Sequence, residues 1–466
     1  MDRPNLLFLY TDEQRADTLA AHGGRVDICP NLNRLAEDAT VFENTYCTHP
    51  LCVPSRSSIH SGQFPHTTGC TYNGPSLRPD TKCLPEMLEG NYMTAHMGKW
   101  HLGDEVFNQH GFTEWHATED CYHKGASLEK APDKRSAYHH WLMGHGFYPD
   151  AYNGTKFDIN WSAWMPERYS KPQCMGDLAI EFLERNKENP FALFVSFQEP
   201  HMPFHSCRDD QFDPAEVELP PNHNDENLIS ARARKLAESL KVKCSEGLLK
   251  SEQDWREMTA RYWGLCSLID THSGRILDKL KELGLYDNTI IIFTSDHGEF
   301  MGSHGMLLKS SPYEESARVP FLMRLPGQAE ARRVKEPISQ IDLVPTMLDC
   351  MGSSIPDHLH GVSLKPAVEG TAVPDRDVVV EFEDQPKVPA EEKDPWRCIV
   401  TPDRWKLTVS PNLGEHSLFD LNTDPYELNN LINEPGRKER INDMADRLRQ
   451  WQKETDDTVT LPEQII

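Results

Sequence analysis

The sequence predicts an α/β fold: a large, mixed, mostly parallel sheet sandwiched by helices, followed by a smaller C-terminal α+β domain. Short apolar runs at 5–10, 191–197 and 288–294 are typical of strands buried on both faces of a parallel sheet. Helical segments alternate with these strands along the chain. Near residue 370 acidic and proline-rich segments begin to alternate with short strands, so we predict domains at 1–370 and 371–466.

The remaining elements follow from local sequence patterns. A proline is favoured in the first turn of a helix, and Pro30 begins the first predicted helix. Apolar residues recur with the helical period in 175–187. The predicted helices are 30–39, 138–143, 175–187, 252–283 (one helix or a broken pair), 342–350 and 437–453. The further predicted strands are 92–97, 318–323, 378–382, 397–400 and 405–409, and 207–251 is predicted as surface loops with a helix.

The composition restricts the classes of protein to which the chain can belong. Its 466 residues carry a formal net charge of −25, which argues against a nucleic-acid-binding protein. No stretch approaches the roughly 20 apolar residues of a membrane span, so no membrane partner is expected. Because the chain is so acidic, an anionic substrate has to be attracted by a local basic pocket.

The N-terminus and the cysteines bear on the cellular compartment. The first predicted strand begins at residue 5, without the apolar segment of a secretion signal before it. We therefore expect a cytoplasmic protein, or a periplasmic or secreted one if a signal has been removed. The 12 cysteines are scattered without the Cys-x-x-Cys spacing of metal sites, which predicts reduced and mostly buried thiols.

The stretch 51–62 contains the pattern Cys-x-Pro-Ser-Arg, from Cys52 to Arg56. Pro54 suits the first turn of a helix, where its missing N–H costs nothing. A helix N-terminus lowers the pKa of a nearby thiol and attracts anions. We therefore predict that Cys52 lies beside an anion pocket with Arg56 as a charged wall. The alternative is a free, buried cysteine before an ordinary helix.

Acidic residues follow two of the predicted strands. Asp12 and Glu13 come after the first strand, and Asp296 and His297 come after the strand at 288–294. The carboxyl ends of strands in an α/β sheet are its usual ligand edge. These four side chains can together hold a hard cation, whereas a solvated turn explains the adjacent acids Asp12 and Glu13 taken alone.

Basic residues lie in three further loops. Lys99 and His101 follow the strand at 92–97, His201 lies between two prolines after the strand at 191–197, and Lys309 follows the Asp296 loop. Each of them alone fits an ordinary surface turn. They indicate a function only when they are considered together with the Cys52 motif.

Five motifs, taken together, resemble those of type I sulfatases, which belong to the alkaline phosphatase-like superfamily. In chain order they are Thr-Asp-Glu-Gln-Arg, Cys-x-Pro-Ser-Arg, Gly-Lys-x-His-x-Gly, Pro-His-x-Pro-Phe and Ser-Asp-His-Gly-Glu. The resemblance covers nearly the whole chain. Glu13 stands where Asp is more usual in the family, and His60, Ser61 and Gln63 replace the usual Leu, Thr and Arg.

The resemblance implies a role for each matching residue. Cys52 is expected to become formylglycine through a formylglycine-generating or anaerobic sulfatase-maturing enzyme, and its hydrated aldehyde is the nucleophile. One Ca²⁺ is expected to be held by Asp12, Glu13, Asp296 and His297, and Asp296 could also accept the proton of the nucleophile. The expected sulfate-binding cations are Arg56, Lys99 and Lys309. His201 is the candidate acid for the leaving alcohol, and His101 is the candidate base that releases sulfate.

The segment 104–174 is rich in aromatic residues and histidines, among them Trp115 and Trp141. It is predicted either to line a cleft for sugar rings or to pack its aromatic side chains as core. Together with this segment, the resemblance to sulfatases implies a sulfated carbohydrate, a polysaccharide or glycosaminoglycan fragment, as the substrate class.

Two other functions remain open from the sequence. One is a phosphonate monoester hydrolase or phosphodiesterase, because Asp-x-x-Arg-Ala-Asp at 12–17 also resembles those enzymes. The other is a non-catalytic protein that binds sulfated sugars.

Overall fold

A computed structural model describes residues 3–118, 135–148, 159–223, 249 and 251–465 of the chain. Within these ranges all ten cysteines are free thiols, and eight of them are buried. No helix in the described part of the chain is both long and apolar enough to cross a membrane. The helix predicted within 207–251 lies largely outside the described residues.

The core of the molecule is an eight-stranded sheet in the order β10-β2-β9-β7-β1-β6-β4-β5. Strands β7, β1, β6, β4 and β5 run parallel, and β9 is antiparallel to both of its neighbours. The predicted mixed, mostly parallel sheet is therefore confirmed. Its strands are β1 (Asn5–Asp12), β2 (Thr40–Phe42), β4 (Met93–Gly98), β5 (Glu114–Ala117), β6 (Phe191–Pro200), β7 (Thr289–Ser295), β9 (Phe321–Arg324) and β10 (Arg332–Val334).

Helices cover both faces of this sheet. On β1, Leu7 and Leu9 belong to one apolar cluster, whereas Leu6 and Phe8 belong to another, because successive side chains point to opposite faces. The helices are α1 (Pro30–Leu35), α2 (Cys52–Ser61), α3 (Pro65–Thr68), α4 (Leu84–Met87), α5 (Ala137–Gly144), α6 (Ile159–Ala163), α7 (Lys171–Asn186), α8 (Glu252–Glu282), α9 (Glu314–Ala317), α10 (Leu343–Cys350), α11 (Lys365–Val368) and α12 (Lys438–Thr455).

Two smaller sheets complete the fold. Strands β3 (Thr45–Tyr46), β8 (Arg318–Val319) and β11 (Ile338–Ser339) form a three-stranded sheet. The C-terminal sheet is antiparallel and contains β12 (Val378–Glu381), β13 (Arg397–Val400), β14 (Trp405–Val409) and β15 (Ser417–Asp420). Apolar residues of α12 pack on one face of this sheet, which gives the expected α+β arrangement at the C-terminus.

Two predicted elements differ from the structure. The strand predicted at 318–323 is two strands in different sheets, because Pro320 lacks the N–H that a continuous strand would use. The helix predicted at 30–39 ends at Leu35. Glu37 and Asp38 follow this end, and negative charge is unfavourable at a helix C-terminus.

Candidate active site

The ends of β1 and β7 bring the acidic residues of two distant sequence motifs together. The two strands run in parallel register with Thr11 opposite Ser295, and the backbone N–H of Asp296 donates to the Thr11 carbonyl at 3.0 Å. Asp12 and Asp296 are both fully buried. The predicted convergence of these two carboxylates at the carboxyl edge of the sheet is therefore what the structure contains.

Cys52 is the first residue of α2 and lies directly against this acidic edge. Its Sγ is 3.7 Å from Asp12 Oδ1 and 3.3 Å from His297 Nε2. Ligand atoms of Asp12, Cys52, Asp296 and His297 all lie within 4.8 Å of one another. A nucleophile at position 52 therefore shares one small buried volume with the candidate metal ligands.

Arg56 lies one helical turn after Cys52 and is fully buried. Its Nε donates to Asp296 Oδ2 at 2.8 Å, and its Nη2 donates to Asp12 Oδ2 at 2.9 Å. Its Nη1 donates to the Lys99 carbonyl and to Ser196 Oγ, each at 2.8 Å. The guanidinium of Arg56 therefore holds the two carboxylates in place, and its expected contact with the sulfate oxygens stays a prediction.

The two lysines of the site place positive charge beside the buried carboxylates. Lys99 Nζ is 2.9 Å from Asp12 Oδ2, and Lys309 Nζ is 2.8 Å from Glu13 Oε1. With Arg56 they place three cationic side chains beside the three buried carboxyl groups of Asp12, Glu13 and Asp296. A bound divalent cation would leave an excess of positive charge, which favours an anionic ligand.

The charges around each carboxylate determine its ionisation. Although burial opposes ionisation, Lys99, His201 and Arg56 hold the pKa of Asp12 well below its usual range. Burial likewise opposes ionisation of Glu13, but Lys309 and His201 lower its pKa to about 2. Burial and the Asp12 charge raise the pKa of Asp296 to about 7. Asp296 is therefore the carboxyl in this cluster that most readily accepts a proton.

The donor set fits a hard divalent cation, with one distinction among the four expected ligands. Carboxylate oxygens and an imidazole nitrogen from Asp12, Asp296 and His297 converge on one point. Ligand atoms of Glu13 instead lie close to those of Asp12 and His201. The Oε1 of Glu13 is paired with the ammonium group of Lys309. The place of Glu13 as the fourth ligand stays a prediction.

The two candidate proton-transfer histidines lie at the rim of the cluster. His201 Nε2 is 3.6 Å from Glu13 Oε2, and its Nδ1 is 2.8 Å from the Met202 carbonyl, which fixes the ring. Burial and the Lys99 charge hold the pKa of His101 well below its usual range. A neutral His101 can accept a proton, as the role of base requires.

Glu105 is a functional candidate that the sequence analysis missed. Its carboxylate accepts the backbone N–H of His101 at 2.6 Å and that of Trp100 at 3.2 Å. His101 has a φ of 61°, a conformation that residues other than glycine rarely adopt. Glu105 therefore holds the His101 loop in its strained shape. A buried acid four residues after a loop histidine has no distinctive sequence pattern.

Glu299 was also missed, although it belongs to the Ser-Asp-His-Gly-Glu motif. Its Oε1 accepts the backbone N–H groups of Met301 and Leu308 at 2.9 and 2.6 Å. These bonds close the loop that delivers Lys309 to the site.

The two tryptophans proposed for the sugar side of the cleft differ in position. Trp115 lies on β5 in the apolar core, and its indole N–H donates to the Glu105 carbonyl at 2.8 Å. Its surroundings support the packing alternative. Trp141 lies on α5, half-buried, against Tyr138, His145 and Tyr169. Much of the aromatic segment falls outside the described residues.

Comparison with known proteins agrees with this geometry. The family profile described as "Sulfatase" matches residues 4–353, and that described as "N-sulphoglucosamine sulphohydrolase, C-terminal" matches residues 302–454. An arylsulfatase of Clostridium perfringens is 31% identical, with 94% of this chain and 92% of that protein covered. An N-acetylglucosamine-6-O-sulfatase of Bacteroides thetaiotaomicron is 26% identical, with 98% of this chain and 87% of that protein covered.

Solved structures share the fold over almost the whole chain. One, described as a complex with its substrate D-glucosamine-2-N,6-O-disulfate, has a TM-score of 0.80 and 24% identity, covering 98% of this chain and 99% of that chain. A phosphonate monoester hydrolase from Silicibacter pomeroyi has a TM-score of 0.81 and 24% identity, covering 97% of this chain and 96% of that chain. The profile match over 4–353 exceeds half of the chain. The chain belongs to the sulfatase family of sulfuric ester hydrolases.

Proposed function

We propose that this protein releases sulfate from a sulfated carbohydrate by using a formylglycine nucleophile derived from Cys52 and one divalent cation, calcium by family likeness. The position of Cys52 carries the proposal. Its Sγ lies within 4 Å of both Asp12 and His297, at the start of a buried helix whose Arg56 pairs with the neighbouring carboxylates. A maturing enzyme that replaces the thiol by an aldehyde would place its oxygen at the same point.

The candidate metal ligands are Asp12, Asp296 and His297, with Glu13 as a less central fourth. When bound, the cation would polarise the sulfate group and lower the pKa of a hydroxyl at position 52. Arg56 would keep Asp12 and Asp296 oriented for this purpose. Lys99 and Lys309 would counter the negative charge that spreads over the sulfate oxygens in the transition state.

The histidines would move the protons of the two chemical steps. One hydroxyl of the hydrated aldehyde would attack sulfur, Asp296 would accept the proton of that hydroxyl, and the S–O bond to the sugar would break. His201 would donate a proton to the leaving sugar oxygen. His101 would then take the proton of the remaining hydroxyl, so that the C–O bond to sulfate breaks and the aldehyde is restored. This elimination is unavailable to an unmodified cysteine or serine.

Named relatives support the carbohydrate substrate class. Besides the N-acetylglucosamine-6-O-sulfatase described above, a similar protein of Formosa agariphila is named an ulvan-active sulfatase. The test is hydrolysis of a panel of defined sulfated saccharides by matured protein. Sulfate release from at least one saccharide is expected, and Cys52→Ala should abolish it while the matched control Cys350→Ala retains it. Binding of a sulfated sugar by matured protein without release of sulfate would favour the non-catalytic alternative.

A phosphonate monoester hydrolase is the second candidate function. The Asp-x-x-Arg-Ala-Asp motif at 12–17 supports it, and the fold is shared with the Silicibacter pomeroyi enzyme, although the fold alone does not distinguish the two activities. The Gly-Lys-Trp-His-Leu-Gly loop supports the sulfatase because it matches the motif of that family. Side-by-side kinetics on 4-nitrophenyl sulfate and on a phenyl phosphonate monoester decide between them. A larger kcat/KM for the phosphonate would make sulfate hydrolysis the minor activity.

A further inference from the structure

A cavity lies between α2, α12 and the C-terminal sheet, at the opposite end of α2 from Cys52. Its volume is about 570 Å³, within the roughly 300–1,000 Å³ that is typical of small-molecule sites. Phe64 lines the cavity and lies three residues after the last residue of α2. Because the ten residues of α2 each rise about 1.5 Å, the length of this helix, about 15 Å, separates the cavity from Cys52. None of the residues given a role in sulfate release is among the described residues that line it.

The inner wall of the cavity is apolar and aromatic. Val379 and Ile399 of the C-terminal sheet are buried members of this wall. The ring of Phe64 lies edge-to-face against Trp451 of α12, with the ring centroids 5.0 Å apart, and stacks on His360 at 5.4 Å. Aromatic rings fixed in this way offer a rigid apolar surface to one face of a ligand.

His360 provides the cavity with a hydrogen-bond donor of fixed position. Its Nδ1 accepts the backbone N–H of Phe64 at 3.1 Å, so this nitrogen carries no proton. Burial and the nearby charge of His66 lower the pKa of His360, which keeps the ring neutral. The single ring proton is therefore on Nε2, which makes no hydrogen bond to a described residue. A ligand that satisfies this donor has to offer an acceptor oxygen.

The cationic side chains at the rim of the cavity already have acidic partners. Arg447 Nη1 is 3.1 Å from Asp377 Oδ1, and Arg376 pairs with the buried carboxylate of Asp342. An anionic ligand would have to displace these partners. The exposed carboxylate of Asp357 at the same rim would also repel an anion. The charges around the cavity therefore favour an uncharged ligand.

We propose that this cavity is a second carbohydrate-binding site, separate from the reaction centre, and that it binds an uncharged sugar. The hydroxyl groups of a sugar can accept a hydrogen bond from His360 Nε2 and can bond in pairs to the planar guanidinium and carboxylate groups at the rim. The C–H face of the sugar ring would pack on the aromatic wall. A hydrocarbon ligand would instead leave the His360 donor unpaired, which is costly. The site goes beyond the proposed function and does not depend on the chemistry at Cys52.

The experiment measures the binding of unsulfated sugars to the full-length protein by isothermal titration calorimetry. The probes are the methyl glycosides and the tetrasaccharides of glucose, galactose and N-acetylglucosamine, with methyl glucuronide as the anionic comparison. Wild-type protein is expected to bind at least one uncharged probe, and to bind it more tightly than the glucuronide.

Two variants test whether the bound sugar lies in this cavity. His360→Ala removes the donor and should weaken binding by about two- to tenfold. His358→Ala is the matched control, because His358 is exposed two residues earlier and does not line the cavity. Gln450→Trp places a large side chain at an exposed position of the cavity wall, so it should fold and should block the sugar. All three variants, once matured, should hydrolyse 4-nitrophenyl sulfate as the wild type does, because the reaction centre is at the other end of α2.

Three results would overturn the proposal. One is that no uncharged probe binds to the wild-type protein, and another is that the glucuronide binds more tightly than the uncharged sugars. The third is that binding is unchanged in Gln450→Trp, which would place the sugar elsewhere even if His360→Ala failed to fold. Equal affinities for a methyl glycoside and its tetrasaccharide would support a free sugar as the ligand, whereas tighter binding of the tetrasaccharide would support a carbohydrate chain.

Discussion

At the scale of single residues, the ion pairs of Arg56 hold the carboxylates of the site in position. It contacts Asp12 and Asp296 through separate nitrogens, and all three side chains are fully buried. Removing one partner of a buried ionic group leaves the other charges unpaired, which costs far more than losing a surface pair. The Cys-x-Pro-Ser-Arg motif singles out Arg56, but only the geometry assigns it to the carboxylates.

We expect Arg56→Met to destabilise the folded protein by about 3–5 kcal/mol and to abolish sulfate release. Urea unfolding followed by tryptophan fluorescence measures the first effect. Arg25→Met, which breaks an exposed pair with Asp27, is the matched control and should cost at most about 1 kcal/mol. If Arg56→Met were as stable as the control, the guanidinium would not be holding the carboxylates as argued.

The proposed acid role of His201 leads to a second residue-scale prediction. An acid matters most when the leaving alcohol is basic, so His201→Ala should slow sugar sulfates much more than 4-nitrophenyl sulfate. The loss on a sugar sulfate is expected to be about 10²–10⁴-fold. The measurement is kcat/KM for aryl sulfates of graded leaving-group pKa, whose dependence on that pKa should steepen. Equal losses across the series would exclude His201 as the acid.

At the scale of elements, the strand ends and loops could be predicted from the sequence more accurately than the contacts that hold them in place. The runs before Asp12 and Asp296 identified two parallel strands, and parallel register then placed both carboxylates at one edge. The loop after β4 was found only by its motif, since its shape depends on a buried acid. The position of Trp115 could not be predicted, because the sequence does not distinguish an aromatic residue that lines a cleft from one that packs in the core.

Glu105 gives the element-scale prediction. Because Glu105 accepts two backbone N–H groups of the Trp100–His101 loop, Glu105→Ala should release the strained loop and lower kcat by about 10²-fold, the effect of misplacing a catalytic group. Glu105→Gln keeps one acceptor oxygen and should recover part of this loss. Steady-state kinetics on one saccharide, with melting temperatures for both variants, provide the measurement. If Glu105→Ala and Glu105→Gln had the same kcat, the oxygens of Glu105 would not be positioning the loop.

At the scale of the whole molecule, contacts between distant segments connect the C-terminal sheet to the rest of the fold. Buried Lys406 on β14 lies 2.9 Å from Glu314 and 3.0 Å from Glu427. His66 on α3 lies 2.5 Å from Glu381 on β12 and 2.9 Å from the Thr455 carbonyl on α12. The fold class could be predicted because it follows from local periodicity, whereas such contacts depend on residues far apart in sequence. The boundary near residue 370 stays a prediction.

His66 makes stability depend on pH in a defined direction. Burial opposes protonation, but the Glu381 carboxylate outweighs it and raises the pKa of His66 above its ordinary value. Since the folded pKa exceeds the unfolded one, this contribution is complete below about pH 6.5 and is lost as the pH rises through the folded pKa. Urea unfolding should show that His66→Gln loses more stability at pH 6 than at pH 8.5. A pH-independent difference would contradict the proposed His66–Glu381 link.

The central claim concerns the chemical state of position 52. The proposed mechanism requires formylglycine because its hydrated form can expel sulfate and restore the aldehyde, whereas a cysteine adduct would be cleared slowly. The most direct measurement is mass analysis of the peptide containing residue 52, alongside sulfatase activity, for preparations made with different amounts of maturing enzyme. The account predicts that specific activity rises in proportion to the aldehyde fraction and extrapolates to zero without it. Full multiple-turnover activity from protein whose Cys52 is entirely unmodified would contradict it.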